Sequence, residues 1–220
     1  MQLQALLFSA ILGTIPIFIV QCCPPTPVAV IRAQANMLAA VPGLTPTLPT
    51  GTMGFIQRGN VLTITGVMHG LQPGLHGMHV HAIGNLGNGC LAAGDHYNPF
   101  NMNHGAPTAR VRHVGDLGNI VAGPKINICK RKNAKTTINS NVISTTSLIV
   151  SLISIEKKGD GVAVVNIQDT TIRLNGPQSV IGRTLIIHAM RDDLGLGGSP
   201  LSLTTGDSGA RVMCGIIQML

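Results

Sequence analysis

Residues 75–81 read LHGMHVH and follow the turn Gln72-Pro73-Gly74. This pattern predicts a β-strand that ends in two histidines. Side chains at positions i and i+2 of a strand project from the same face, with their Cα atoms about 6.5–7 Å apart. The imidazoles of His79 and His81 are therefore spaced to bind one metal ion, although two surface histidines on a strand would give the same pattern.

Short apolar runs separated by turn residues recur on both sides of this strand. Residues 61–65, for example, alternate apolar and polar residues as a half-buried strand does. Together the runs predict strands at 28–33, 52–57, 61–68, 75–81, 162–168, 171–174, 184–190 and 210–217. Short strands joined by turns are typical of an all-β antiparallel barrel or sandwich.

The composition of the 220-residue chain agrees with one sizeable domain and argues against some classes of function. Apolar residues make up 45%, which argues against global disorder, and aromatic residues make up 2%, too few for a platform that stacks single-stranded nucleic acid. The net charge is +7, but all six lysines and Arg131 lie between residues 124 and 158. The rest of the chain is nearly neutral, so we expect no nucleic-acid partner.

The region from residue 82 to residue 122 is long, glycine-rich and without a periodic apolar pattern. A loop of this length is uncommon unless something besides a core orders it, and metal ligands or a disulfide are the candidates. Metal-binding side chains are present there and on a late apolar strand: His96, His104, His113, Asp116 and His188. Imidazole suits copper and zinc, and a mixed set of imidazole and carboxylate suits tetrahedral zinc.

Seven stretches resemble the motifs of copper/zinc superoxide dismutases. They are 77–81 (GMHVH), 88–99 (NGCLAAGDHYNP), 104–107 (HGAP), 112–119 (RHVGDLGN), 181–188 (IGRTLIIH), 192–195 (DDLG) and 209–215 (GARVMCG). The resemblance implies an eight-stranded Greek-key antiparallel β-barrel of immunoglobulin-like type, with long metal-binding and electrostatic loops. It also implies that superoxide is the substrate, that O₂ and H₂O₂ are the products, and that the protein forms a homodimer.

Carried over position by position, the resemblance implies two metal sites. Copper is expected on His79, His81, His96 and His188, and zinc on His96, His104, His113 and Asp116. His96 is then a bridging ligand that also takes up a proton during catalysis. His69 and His76 match no ligand position.

The resemblance gives four further residues a role. Cys90 is expected to pair with Cys214 in a disulfide. Arg211 is expected to act in catalysis by attracting the superoxide anion. Asp192 is expected to accept hydrogen bonds from a copper-ligand histidine and a zinc-ligand histidine, which fixes their orientation.

The sequence departs from the family pattern at several positions near the site. Asp95 stands where the family usually has proline, and Met78 where it has phenylalanine. Positions that carry a glutamate pair and lysines in the family read here Pro200, Leu201, Thr204 and Met190. We therefore expect weak long-range guidance of the anion.

Residues 6–20 read LLFSAILGTIPIFIV, which is typical of a secretory signal peptide, here placed at 1–23. An uncleaved signal anchor is the alternative, although the run is short for a bilayer span. Either way the body, residues 24–220, is expected outside the cytosol, in an oxidising compartment where disulfides persist.

An atypical insertion, residues 124–158, interrupts this body where the family has a short connection. It holds the cluster KRKNAK at 130–135, Cys129 and an apolar, β-prone stretch at 147–155. Three interpretations stay open: a disordered surface loop, a basic tether for anionic glycans or membranes, and the translation of a retained intron. The roles of Cys22 and Cys23 also stay open.

Two other functions stay open from sequence alone. One is a non-catalytic metal-binding or copper-delivery module of the same fold. The other is a glycan-binding or membrane-surface protein that uses the basic insertion.

Overall fold

The computed structural model describes residues 29–123 and 161–220, so the predicted signal peptide and the insertion lie outside the described residues. Among the described residues lie nine strands: β1 Val30–Ala39, β2 Pro49–Arg58, β3 Val61–Leu71, β4 Gly74–His81, β5 Asp116–Gly123, β6 Gly161–Asp169, β7 Thr184–His188, β8 Arg211–Ile216 and β9 Gln218–Met219. A 3-10 helix spans Leu91–Ala93 and a short α-helix, α1, spans Ser202–Thr205. In this part of the chain, no helix has the length and apolar character needed to cross a membrane.

Eight of the strands close into an antiparallel barrel. Their order around the barrel is β1-β2-β3-β6-β5-β4-β7-β8, and β8 pairs with β1 to close it, while β9 adds a short pairing to β1. The successive strands β3 and β4 are separated in space by β6 and β5, which makes a Greek-key connection. The all-β, eight-stranded barrel predicted from the sequence is confirmed.

The barrel interior is filled mainly by aliphatic and methionine side chains, because the chain has few aromatic residues. Along β3, Leu62, Ile64 and Met68 are fully buried, whereas Thr65 and Val67 face solvent. This alternation follows from the pleat of a strand, whose successive side chains point to opposite faces. Since a slip of one residue would expose the whole buried set, the core also fixes the strand register.

The structure differs from the predicted strands in several places. Strand β1 extends to Ala39, beyond the predicted 28–33, and β9 is not predicted. Residues 171–174 do not form a strand, because Asp169 Oδ1 accepts the backbone N–H groups of Thr171 (2.6 Å) and Ile172 (2.9 Å) and turns the chain. Strand β5 lies inside the region predicted as a loop. Gly118, with φ of 73°, interrupts the apolar pattern there and hides the strand from sequence inspection.

A disulfide joins the long loop after β4 to strand β8. Cys90 and Cys214 are both fully buried, their sulfurs are 2.03 Å apart, and their sequence separation is 124 residues. They pack against Ala93 and Ile186 in a small apolar cluster outside the main core. The loop is thereby fixed to the barrel although it contains little regular structure.

Replacing both cysteines, Cys90→Ala/Cys214→Ala, should lower the free energy of unfolding by about 3–5 kcal/mol, because the crosslink closes a long loop in the unfolded chain. Urea unfolding of the metal-free protein measures the change. Reduced wild-type protein should show a similar loss, and the double variant should be insensitive to reductant. A double variant as stable as oxidised wild type would mean that packing alone holds the loop.

Candidate metal centre

From His76 to His81, strand β4 is buried on both of its faces. Met78 and Val80 belong to the core, so His79 and His81 lie on the outer face of the barrel. These two histidines are nevertheless almost inaccessible, because the long loops cover this part of the barrel. His188 lies in the same way on the outer face of the neighbouring strand β7.

The loops and β5 bring the remaining predicted ligands to the same place. His96 forms a β-bridge with His81, and Asp116, the first residue of β5, pairs with His79. In each of two groups, one ligand atom from every residue lies within 4.8 Å of the others. The all-histidine group consists of His79, His81, His96 and His188, and the mixed group consists of His96, His104, His113 and Asp116.

In the all-histidine group, three rings are held by a hydrogen bond on their outer side. His79 Nε2 donates to Asp192 Oδ2 (2.9 Å), His81 Nδ1 donates to Gly94 O (2.8 Å), and His188 Nδ1 donates to Gly209 O (3.0 Å). Since carbonyl and carboxylate oxygens only accept, these outer nitrogens carry the ring protons. The inner nitrogens therefore present lone pairs to one another, and Nε2 of His81 lies 3.3 Å from Nε2 of His188.

In the mixed group, three ring nitrogens surround one carboxylate oxygen. Asp116 Oδ1 lies 2.9, 3.0 and 3.1 Å from the Nδ1 atoms of His96, His104 and His113. The other oxygen of Asp116 accepts the backbone N–H groups of Gly105 and His113, which fixes the carboxylate. Tetrahedral zinc ligands with bonds of about 2.0–2.1 Å lie about 3.3 Å apart, so the mixed group suits zinc.

Three buried ring nitrogens form no hydrogen bond with the described residues: His79 Nδ1, His96 Nε2 and His104 Nδ1. The last lies 3.0 Å from Asp116 Oδ1, but the two atoms are not aligned for a hydrogen bond. A buried polar atom without a partner costs about 1–3 kcal/mol. Because the outer nitrogens of His79 and His104 are bonded to Asp192, their orphaned nitrogens are the inner ones. One metal ion in each group would supply the missing partners, so the residues present fit two metals.

His96 belongs to both groups through its two nitrogens. Its Nδ1 lies 2.9 Å from Asp116 Oδ1 in the mixed group, and its partnerless Nε2 is left for the all-histidine group. The His79 and His96 ring centroids are 4.0 Å apart, which places the two rings in direct contact. A single imidazole therefore connects the two candidate metal sites.

Burial keeps the all-histidine group neutral. It lowers the pKa values of His79 and His81 well below the usual range, and the neighbouring His96 lowers them further. Burial likewise lowers the pKa of His188 to about 4. Neutral imidazole is the form that binds a metal ion, so these rings are ready to act as ligands at neutral pH.

Two carboxylates favour positive charge near His104. Burial opposes a charge on this ring, but its contacts with Asp116 and Asp192 outweigh burial and raise the pKa of His104 to about 9. Burial would raise the pKa of Asp192, but hydrogen bonds from His104 and His79 hold it well below its usual range. The mixed group is therefore an environment that stabilises a cation.

Asp192 contacts one histidine of each group, on the side of the ring that faces away from the candidate metal site. Its carboxylate accepts hydrogen bonds from Nε2 of His79 (2.9 Å) and from Nε2 of His104 (2.8 Å). Reciprocal hydrogen bonds with the Asn119 side chain, both 2.8 Å, hold the Asp192 backbone. A carboxylate fixed in this way sets the orientation of one ring in each group.

Arg211 is half-buried at the start of β8, where it pairs with His188. Its guanidinium donates hydrogen bonds to three backbone carbonyl oxygens, those of Cys90, Leu91 and Gly94. The loop that carries the disulfide thus fixes the position of this cation. A cavity of about 670 Å³ adjoins the metal centre, and His96, His113, Asp95 and Thr204 are among the residues that line it.

The remaining histidines that the structure describes lie outside both groups. His69 is exposed on β3. His76 is buried, but both of its ring nitrogens lie 2.7 Å from carbonyl oxygens, those of His188 and Gln72, so neither is available to a metal. Sequence reasoning missed this contact of His76 and the carbonyls that fix the ligand rings, because no side-chain pattern marks them.

Comparison with known proteins agrees with this geometry. The family profile described as copper/zinc superoxide dismutase (SODC) matches residues 49–153 and 151–217. The chain is 42% identical over 217 residues to the extracellular superoxide dismutase (Cu-Zn) of Haemonchus contortus, an alignment that covers 99% of this chain and 97% of the relative. A match of this extent shows that the chain belongs to the copper/zinc superoxide dismutase family.

Proposed function

We propose that this protein converts two superoxide anions and two protons to O₂ and H₂O₂, outside the cytosol. The observation that carries the proposal is the His96 ring, which offers Nδ1 to the mixed group and Nε2 to the all-histidine group. One imidazole that links a redox-active metal to a redox-inert one suits this reaction. Membership of the copper/zinc superoxide dismutase family supports the same activity.

We assign copper to the all-histidine group and zinc to the mixed group. Imidazole ligands suit copper, whereas a tetrahedral set with one carboxylate suits zinc. The copper ligands are then His79, His81, His96 and His188, and the zinc ligands are His96, His104, His113 and Asp116. When bound, copper supplies one-electron redox chemistry and zinc supplies a fixed positive charge beside His96.

The side chains of the protein bind the anion and deliver protons. Arg211 keeps its charge at any relevant pH and attracts superoxide. In the state in which Nε2 of His96 is not a copper ligand, that nitrogen would hold a proton and would give it to the peroxide product. One superoxide loses an electron and leaves as O₂, and a second gains an electron and two protons and leaves as H₂O₂. Asp192 keeps His79 and His104 in place throughout.

A non-catalytic metal-binding or copper-delivery module of the same fold is the alternative. Such a module is expected to lack some of the ligands or Arg211, but the described residues of this chain include all of them. Dismutation is therefore the better-supported function.

We also propose a wider organisation from the sequence: a signal peptide at 1–23, an enzyme domain at 24–220, and an atypical insertion at 124–158 within it. The name of the Haemonchus contortus relative supports secretion. A homodimer, and contact of the basic insertion with glycans or a membrane surface, belong to the same proposal.

The purified mature chain should contain one copper and one zinc and should remove superoxide in a cyanide-sensitive reaction. His96→Ala should lower kcat/KM at least about a hundredfold, because it removes a ligand common to both groups. Elemental analysis and pulse radiolysis measure the two effects.

The matched control for this variant is His69→Ala, which removes an exposed histidine outside both groups and should change neither metal content nor activity. Full loading with both metals in a wild-type chain that does not remove superoxide would favour the non-catalytic module instead.

Asp192→Asn should weaken zinc binding by about 10–100-fold, the range measured for hydrogen-bond partners of metal ligands. Asparagine keeps the shape of the side chain, but it loses the charge and can accept from only one of the two rings. Competition with a chelator measures zinc affinity. Asp207→Asn, at a half-buried carboxylate outside both groups, should leave the affinity unchanged. Equal zinc affinity in Asp192→Asn and wild type would contradict the positioning role.

The value of kcat/KM should change by less than about twofold between about 0.01 and 0.2 M ionic strength. The reason is that residues 199–205, which read SPLSLTT, add no charged side chain to the approach of the anion. Initial rates at matched pH in salt series measure the slope. A steep fall with salt would show that other charges guide superoxide.

A further inference from the structure

The cavity beside the metal centre has a carboxylate in its wall where the family pattern has proline. Asp95 directly precedes His96, and its side chain is exposed. It lines the cavity of about 670 Å³ that also borders His96 and His113. A negative charge therefore lies in the wall of the space beside the metal centre, next to the ring that joins the two groups.

Asp95 contributes to the described structure through its backbone. The Asp95 backbone is held, since its carbonyl oxygen accepts the N–H of Ala82 at 2.9 Å. Its carboxylate forms no ion pair or hydrogen bond within the ranges that the structure describes, in contrast to the buried carboxylates of Asp116, Asp169 and Asp192. The charge of Asp95 is thus free to act on an ion that enters the cavity.

Asp95 also lies close to the cation that it opposes. Arg211 donates a hydrogen bond from Nη2 to the carbonyl oxygen of Gly94, the residue before Asp95. Burial lowers the pKa of Arg211, and the negative charge of Asp95 acts against that change, so the two groups lie within electrostatic reach of each other.

The residues of the loop before β8 that line the cavity add no charge to it. Leu203, Thr204 and Thr205 line the same cavity and are uncharged. An anion near the centre is attracted by Arg211, which does not line this cavity, and is repelled by Asp95, which does. At a distance these two charges largely cancel.

Given the proposed function, on which this inference rests, we propose that Asp95 determines which anions reach the metal centre by cancelling most of the attraction exerted by Arg211. Coulomb repulsion grows in proportion to the charge of the ion. The carboxylate therefore disfavours a dianion, such as hydrogen phosphate, more strongly than it disfavours a monoanion such as superoxide.

Asp95→Asn removes the charge with little change of shape, and azide is a monoanion whose binding to copper can be followed by absorbance. In the protein loaded with both metals, the azide Kd should fall by about 2–5-fold at low ionic strength, and kcat/KM for superoxide should rise by a similar factor. Inhibition by hydrogen phosphate should strengthen by a larger factor than azide binding does. Raising the ionic strength to about 0.2 M should remove most of these gains, because salt screens exposed charges.

Two control variants separate this effect from a general change of charge or structure. Asp95→Glu keeps the charge and should retain the weak salt dependence of wild type. Asp207→Asn removes a carboxylate that does not line the cavity and should leave the azide Kd unchanged.

The outcomes distinguish this inference from the proposed function. If wild type removes superoxide but Asp95→Asn has the same azide Kd, salt slope and phosphate inhibition, the role of Asp95 is wrong and the function stands. If the fully loaded wild type does not remove superoxide, the function is wrong, and the azide titration still decides the role of Asp95.

Discussion

A buried histidine that binds a metal through one ring nitrogen needs an acceptor for the N–H of its other nitrogen, and His96, which offers one nitrogen to each group, is the exception. This constraint governs the whole outer face of the barrel. Carbonyl oxygens of Gly94 and Gly209 hold His81 and His188, and both glycines have positive φ, 72° and 73°, which turns the carbonyls toward the rings. The loops therefore supply the acceptors that make the histidines of the strands into ligands.

The same loops position both a metal ligand and the cation that attracts the substrate. The carbonyl oxygen of Gly94 accepts from both His81 Nδ1 and Arg211 Nη2, so one backbone atom positions a ligand of the all-histidine group and the anion-attracting cation. The Cys90–Cys214 disulfide joins this loop to β8, the strand on which Arg211 lies. A change in the conformation of this loop would therefore move the ligand His81 and the cation Arg211 together.

Much of the centre could be predicted from the sequence because its ligands are side chains in recognisable motifs. The strand of His79 and His81 and the eight-stranded barrel agree with the structure. Strand β5 was missed because Gly118 breaks the apolar pattern, and residues 171–174 were wrongly predicted as a strand because the local hydrogen bonds that Asp169 accepts from the backbone outweigh their β-propensity. The backbone acceptors could not be predicted at all, since any residue carries a carbonyl and only the fold decides where it points.

The polypeptide can be lengthened between β5 and β6, because these strands end side by side. Gly123 pairs with Val162, so the chain leaves the barrel and returns to it at adjacent positions. Asp116 begins β5 at the metal centre, and Gly123 lies about 24 Å further along the strand by the usual rise. A tenfold longer connection adds only about 2 kcal/mol of closure entropy. The ends of β5 and β6 away from the metal centre are thus a position where a domain could be inserted, or the termini moved, without a change in the ligand geometry.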